Sequence, residues 1–449
     1  MKQGFVYAIT VLAAASPLAL SAQEAKQWTL DECIRYALEQ NIQLRQNKIS
    51  LEESEVDVKT ANAALFPSLS FSTGHNVVNR PYQESSSIVS GTEILSSSNK
   101  TSYTGTAGLN AQWTVWNGGK RLNTIKQQKL NKQTAELTVS EQENTLKEQI
   151  AKLYVQILYA EESVGINKNT LDLSEAQYKR GKELLESGDI SKSELAQLQS
   201  QVSSDNYQLV MAQNSLADYK LQLKQLLELD GEQDFQTAVP TLDDSRVLSP
   251  IPSKMEVYNA ALALRPEIQS SKVGIQSADL NIRMAKAGYL PNVSLSAGIG
   301  TNYNSGSNFT FNEQVKNGWS NSIGLTVSVP IFNNRETKSA VEKAKLQYES
   351  KKLDLTNQQK TLYRTIETMW QDATNAQEQF NAADAKLKSS ESSYELVNEQ
   401  FKLGMKNTVE LLTEKNNLMS AQQTRVQAKY MAILNRVLLS FYAGNQIEL

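Results

Sequence analysis

The chain is poor in the residues that most often carry chemistry. It has one cysteine, Cys33, and one histidine, His75. A single cysteine leaves no partner for an internal disulfide. A zinc site or a histidine-based catalytic triad needs more partners than one His and one Cys supply. Methionines are scattered, so no metal relay is indicated. Gly118-Gly119-Lys120 lacks the upstream glycine and the following Ser or Thr of a phosphate loop. Gly298 and Gly300 lie in an alternating strand pattern and open no helix. No catalytic residue, metal site or cofactor is read from the sequence, and an enzyme is not expected. The rods described below are rich in acids, but charged helix faces pair carboxylates by default.

Charge of one sign is also missing. Forty-five Lys and Arg against 48 Asp and Glu give a formal net charge of −3. That balance makes no case for nucleic acid. Long hydrophobic runs are absent too, and mean hydropathy is −0.44. The one candidate is Phe5–Leu20, which follows Lys2 and precedes the small residues Ser21 and Ala22. It is shorter than the roughly 20 residues of a spanning helix and reads as a secretory signal, residues 1–22. Cys33 follows Leu30-Asp31-Glu32 without the small residues of a lipid-attachment site, so a buried helical thiol is expected there. Any later membrane segment must then be β-strand.

Strands are present, and they come twice. Leu109, Ala111, Trp113 and Val115 alternate with Asn110, Gln112 and Thr114, ending at Trp116-Asn117-Gly118. Ile323, Leu325, Val327 and Val329 alternate with small polar residues, ending at Phe332-Asn333-Asn334. Each follows a partner strand, Leu69 and Phe71 among serines in one half and Val293–Ile299 in the other. Period two with one apolar and one small-polar face predicts half-buried strands. Their length can exceed the roughly 9–11 residues needed to cross a bilayer. Trp113, Trp116, Trp319 and Phe332 suit membrane-interface belts. The Ser-rich stretch Gln83–Lys100 is expected as an external loop.

The repeat extends beyond the strands. Ala37-Leu38 and Leu65-Phe66-Pro67 recur at Ala261-Leu262 and Tyr289-Leu290-Pro291, an offset of 224 residues. Trp116, Tyr178 and Gly188 recur as Phe332, Tyr394 and Gly404 at an offset of 216. A duplication with one longer strand loop accounts for both offsets. The expected organisation is a first repeat over 23–229 (β-hairpin about 67–117, tip about 186–191), a connector at 230–254, and a second repeat over 255–449 (β-hairpin about 290–333, tip about 403–408). The connector is marked by Pro240, Pro250 and Pro252.

Between these landmarks run helices. Lys120 to about Glu186 and Glu336 to about Leu403 are each roughly 100 Å long at 1.5 Å per residue. Shorter helices are expected at Leu30–Ala64, Ser191–Leu229, Pro266–Gly288 and Thr408–Tyr442. Their lengths suggest end-to-end stacking, Ser191–Leu229 with Pro266–Gly288 and Leu30–Ala64 with Thr408–Tyr442, into two further rods. Their apolar residues form a stripe, as Leu146, Ile150, Leu153 and Ile157 do, which suits the wall of a hollow tube. The fold class is therefore mainly α with a transmembrane β portion. Four strands cannot close a barrel, and an open edge is not tolerated in lipid. Two, three or four copies must pool strands. The competing reading is a non-conducting periplasmic coiled-coil structural or adhesion protein.

Taken together and in order, Trp28-Thr29-Leu30…Ala37-Leu38…Asn41, the Leu65-Phe66-Pro67 and Tyr289-Leu290-Pro291 strand entries, Trp116-Asn117-Gly118-Gly119 and the Gly-centred tips make the chain resemble the TolC-like outer-membrane efflux family. The resemblance covers almost the whole mature chain. It implies a homotrimer whose twelve strands form one barrel in outer-membrane lipid, with a periplasmic α-helical barrel closed at its far end. It also implies a periplasmic adaptor (membrane fusion) protein and an inner-membrane pump of RND or ABC type as partners. Many relatives carry an N-terminal lipid on cysteine, which this chain is not expected to have. Gly188, Asp189, Gly404 and Met405 fall at the tips where adaptor hairpins dock. Glu194 falls on a gate Asp, Lys406 on a gate Arg and Glu410 on an acid of the lumen ring. Phe401 stands where the family has Tyr and Thr413 where it has a second acid. These departures, with Lys in place of a forked Arg, imply a gate held differently.

Overall fold

The computed structural model describes residues 27–82, 86–90, 93–97, 100–230, 235–240 and 244–449. The expected signal peptide lies outside the described residues, as do parts of the Ser-rich stretch and of the connector.

The first half runs β1 (Gln27–Trp28), α1 (Leu30–Gln40), α2 (Ile42–Ala63), β2 (Ser68–Asn79), β3 (Ser86–Ser90), β4 (Glu93–Ser97), β5 (Thr101–Asn117), α3 (Lys120–Ser187) and α4 (Lys192–Leu226). The connector holds β6 (Gln236–Thr237) and α5 (Asp244–Val247). The second half runs α6 (Lys254–Leu264), α7 (Pro266–Lys286), β7 (Asn292–Asn304), α8 (Phe311–Asn317), β8 (Ser320–Ser328), α9 (Glu336–Lys402) and α10 (Thr408–Tyr442). Among the described residues no helix is long and apolar enough to cross a membrane.

Several expectations need correction. The helix expected at Leu30–Ala64 breaks at Asn41, whose side chain accepts from the Leu44 N–H at 3.1 Å and so caps α2. β8 stops at Ser328, short of Val329, because Pro330 has no N–H for a ladder. The Ser-rich stretch contains the paired strands β3 and β4, in register from Ser86↔Ser97 to Ser90↔Glu93. The loop between β7 and β8 contains α8, started by a capping box of Thr310 and Glu313.

The stacking of the short helices also differs. The Asn41 amide donates to the Leu226 carbonyl at 3.2 Å, and the Ile42 N–H to Glu228 at 3.2 Å. α4 therefore continues into α2. At the other seam the Arg265 guanidinium, at the cap of α7, lies 4.0 Å from the ring of Tyr442, the last residue of α10. α10 therefore continues into α7. The physical reason is connectivity. A short tip loop and a strand hairpin place α4 and α2 against the two halves of α3, and short connections keep sequential elements adjacent. α3 has 68 residues and α9 has 67, each about 100 Å of helix.

The apolar core sits around the middle of the rods. Leu146, Ile150, Tyr154, Val155, Ile157 and Leu158 of α3 pack with Cys33 and Leu44, with Leu223 and Leu227, and with Ile433 and Val437 of α10. A second cluster joins Val257, Ile268, Ile366 and Leu439. β1 and β6 pair in parallel beside the first cluster, through Gln27↔Gln236 and Trp28↔Thr237. The Tyr154 hydroxyl bonds the carbonyls of Trp28 (3.0 Å) and Ala238 (2.5 Å), tying this pair to α3.

Candidate functional site

The four long strands form one antiparallel sheet in the order β2-β5-β7-β8. Its register sorts the side chains. Phe71 faces Leu109, which faces Ile299; Leu69 faces Ala111, then Ala297, then Ile323. Trp113, Leu295 and Leu325 continue the same face. The opposite face carries Ser70, Asn110, Gly298 and Ser322 in one row, and Ser68, Gln112, Ser296 and Gly324 in the next. Alternation along each strand and the antiparallel register together put these apolar side chains on one side. The described residues of the single chain leave them open: Phe71 is 70% exposed, Leu325 65% and Ile323 83%. β2 and β8 are the edges, so each has one unpaired side.

At the helix-proximal end the two strand exits share a backbone device. Gly118 and Gly119 both have positive φ, 67° and 77°. At the other exit Asn334 and Arg335 do the same, at 50° and 67°. Two consecutive left-handed residues turn the chain from strand into rod. A Cβ on Gly118 would lie 3.0 Å from the Ala287 carbonyl oxygen and 3.0 Å from Leu290 Cβ, whereas one on Gly119 would meet nothing within 4 Å. Arg121 locks the first elbow by donating to the carbonyls of Ala64 (2.8 Å) and Thr114, while its own N–H donates to Asn117.

The four aromatics expected at membrane interfaces fall at both ends of the sheet. Trp113 is half-buried and donates its indole N–H to the Leu65 carbonyl at 2.7 Å. Trp116 follows a β-bulge after Thr114 and is exposed. Phe332 lies beyond the end of β8 and is exposed, and Trp319 precedes β8 at the far end. Sequence reading missed a second aromatic group at that far end. Tyr103 stacks on His75 and meets Tyr303, with ring centroids 5.8 Å apart in each pair, and Tyr303 meets Phe311 at 5.2 Å. The signal was available, because Tyr103 and Tyr303 keep the parity of the apolar face.

The helical tips are built alike. Gly188 (φ 82°) ends α3, with its N–H on the Leu185 carbonyl and the Asp189 N–H on that of Leu184. Gly404 (φ 71°) follows α9, with its N–H on Phe401 and the Met405 N–H on Gln400. Both are paired reverse bonds around a left-handed glycine. Each returning helix then starts with a capping box, Ser191 with Glu194 and Asn407 with Glu410.

The structure brings together Lys406 and Glu410, whose side chains meet at 2.5 Å one turn apart. Glu194 is held by Ser191 of its own cap. Among the described residues no ion pair joins Glu194 to Lys406 within the chain. The Ser191 N–H and hydroxyl hold the Glu194 carboxyl below the usual range. The Lys406 ammonium, then the Asn407 N–H, do the same for Glu410. Thr413 is exposed and donates back to the Val409 carbonyl at 2.8 Å. Phe401 is half-buried, while Asp189 and Met405 are exposed.

One charged cluster escaped sequence reading altogether. Lys415 of α10 is 1% exposed and Asp205 of α4 is 2% exposed. Their side chains form an ion pair with the Ser174 hydroxyl of α3 lodged beside it. Gln201 donates to Asp205 at 2.9 Å and to Asn416 at 3.2 Å. Burial pushes the Lys415 ammonium below the usual lysine range, opposed by its Asp205 partner. In sequence these residues look like ordinary solvated helix charges; only the spacing Thr408-Leu411-Lys415 hinted at an inward face.

Comparison with known proteins places this geometry. The sequence model of the family described as "Outer membrane efflux protein" matches residues 33–228 and again 257–445. The chain is 26% identical to the alkaline protease secretion protein AprF of Pseudomonas aeruginosa, over 41% of this chain and 37% of that protein. It is 22% identical to the outer membrane protein TolC of Vibrio cholerae, over 96% of this chain and 94% of that one. The crystal structure of the outer membrane protein VceC of Vibrio cholerae superposes with a TM-score of 0.76 at 16% identity, covering 93% of this chain and 97% of the other.

Proposed function

The chain belongs to the outer membrane efflux protein family, and from that premise we propose how its parts assemble and work. It is the outer-membrane exit duct of a tripartite efflux or secretion system, lying in the cell outer membrane and extending into the periplasm. Members of the family are channel proteins rather than enzymes.

In our reading three copies pool their sheets through the β2 and β8 edges into one twelve-stranded barrel. The observation that carries it is the sorted sheet: one uncovered apolar face for lipid, one face of Ser, Thr, Asn, Gln and Gly for a hydrated lumen, and two unsatisfied edges. The lumen face carries no charge along the paired rows, which suits a conduit of low selectivity. Outward aromatics at both ends of the sheet, including Tyr103 and Tyr303, are assigned to the two interface belts. Gram-negative outer-membrane lipid is then the contact of the apolar face.

Cyclic symmetry aligns the rods into a periplasmic α-helical barrel. The recurring order of strands, rods and tips, and a family model that matches two successive segments, support descent from a duplicated unit with repeats over 23–229 and 255–449 joined by 230–254. The tips at Gly188 and Gly404 are assigned to adaptor docking. Glu194, Lys406, Glu410, Phe401 and Thr413 are assigned to the mouth of the tube, with Lys406–Glu410 stiffening its own hairpin. Driving energy comes from the inner-membrane pump. Reconstituted protein should give discrete ion conductance and migrate as a heat-modifiable trimer. A monodisperse, detergent-free monomer overturns this assembly.

A further inference from the structure

Towards the tips the buried stripe of α3 changes character. Higher up it is Leu146, Ile150, Tyr154 and Ile157. Lower down it is Asn167, Thr170, Ser174 and Gly181, with the half-buried Gln177 between the last two, at heptad-like steps of three and four. Against it lie polar partners from the second hairpin. Gln423 donates to Asn167 at 3.3 Å, and Gln177 donates to the Tyr394 hydroxyl at 3.1 Å. Lys415 enters between them. The α3 stripe is small and polar here, so shape constrains the register less at this level than in the apolar core above, where Ile433 and Val437 of α10 pack on α3.

We propose that the Lys415–Asp205–Ser174 cluster is a register pin, which fixes the axial position of the α9/α10 hairpin against the α3/α4 hairpin and hence the relative height of the two tips. Slipping α10 one heptad towards the tip brings Lys415 level with Gly181 and Leu198. Those two residues pack on each other: a Cβ on Gly181 would lie 2.6 Å from Leu198 Cδ1. Neither offers a side-chain acceptor. Slipping the other way brings Lys415 level with Asn167 and Ala212, neither of which is charged, and leaves Asp205 buried without its cation. A buried charge stripped of its partner is strongly unfavourable, whereas replacing both partners by apolar residues is tolerated. The pin therefore acts against wrong registers more than in favour of the right one, as single polar core positions do in coiled coils. The local ties of Glu194 and of Lys406–Glu410 leave register unset, because each lies within one hairpin.

The test is a distance measurement and does not depend on conduction. In a Cys33→Ala background, spin labels at Lys192→Cys and Leu403→Cys report the two tips, with labelled chains diluted among unlabelled ones in purified oligomer. The protein with the cluster intact is expected to give one narrow distance distribution. Asp205→Leu with Lys415→Met is expected to retain its helical content yet show a second population, displaced by one heptad, about 10 Å along the axis. An unchanged single distribution in that folded variant overturns the proposal. Should that pair fail to fold, Asp205→Ala with Lys415→Leu, a smaller apolar pair, serves the same comparison, with the same two outcomes.

Discussion

The strand-to-rod elbow makes a prediction that two neighbouring glycines discriminate. Gly118 and Gly119 are both left-handed, so replacing either by Ala incurs the backbone penalty of that region, about 1–2 kcal/mol. A smaller unfolded-state gain of roughly 0.4–1 kcal/mol opposes it. For Gly119 nothing else changes, because its added Cβ meets open space. Gly119→Ala should destabilise by about 1.5 kcal/mol at most. At Gly118 the same methyl meets the Ala287 carbonyl oxygen and Leu290 Cβ, each at 3.0 Å, and Ala287 Cβ at 3.1 Å. The carbonyl is backbone and cannot rotate aside, so an overpacking penalty of about 1–3 kcal/mol is added. Gly118→Ala should thus cost about 1–4.5 kcal/mol in total, always more than Gly119→Ala by the overpacking penalty. Denaturant unfolding of the detergent-solubilised protein, followed by circular dichroism, reads both variants against the parent. Equal midpoint shifts, or a milder effect at Gly118, would refute the reasoning that close approach of the backbone at Ala287 sets this elbow.

Three further predictions concern the rods and tips. Tyr154→Phe removes the hydroxyl that bonds two carbonyls beside the core and should lower stability by about 1–3 kcal/mol; proteolysis should then cut sooner near β1, and unaltered susceptibility would count against this tie. Lys406→Glu turns a close attraction to Glu410 into repulsion within one turn, and resting conductance in planar bilayers should rise. Unchanged conductance argues against any part for Lys406 in the closed mouth. Because the carboxyls of Glu194 and Glu410 are held below their usual range, their stabilisation is complete above the ordinary carboxylate pKa and is lost as pH falls through the lowered values. Amide protection factors at 188–196 and 404–413, which are exchange rates corrected for their intrinsic pH dependence, should therefore fall below about pH 4; unchanged or higher protection there contradicts the sign.

Much of this architecture was legible because its signals are local or periodic. Strand alternation from Leu109 to Trp113 marked the face assignment that the register then completed. Gly188 and Gly404 marked the tips, since a helix reversal of this kind needs a left-handed residue. What escaped had weaker or non-local signals. Ser253 with Glu256, which starts α6, and Thr310 with Glu313, which starts α8, were readable helix starts hidden inside stretches that otherwise look like loop. Asn41 reads as one more polar helix residue until its bond to Leu226 is known. The order in which short helices stack depends on which half of α3 each covers, and length alone is silent on that. Lys415 and Asp205 are indistinguishable in sequence from the many solvated charges of these rods. Their burial follows from three helices meeting at one level, and residues 210 positions apart meet there.

The most direct test of the central account is electrical. Protein extracted from outer membranes and purified in detergent is added to one side of a planar lipid bilayer, and current is recorded at fixed voltage. The account predicts stepwise insertions of one discrete conductance by an oligomer that dissociates only on heating. Protein that stays monomeric without detergent and leaves the bilayer silent would contradict it.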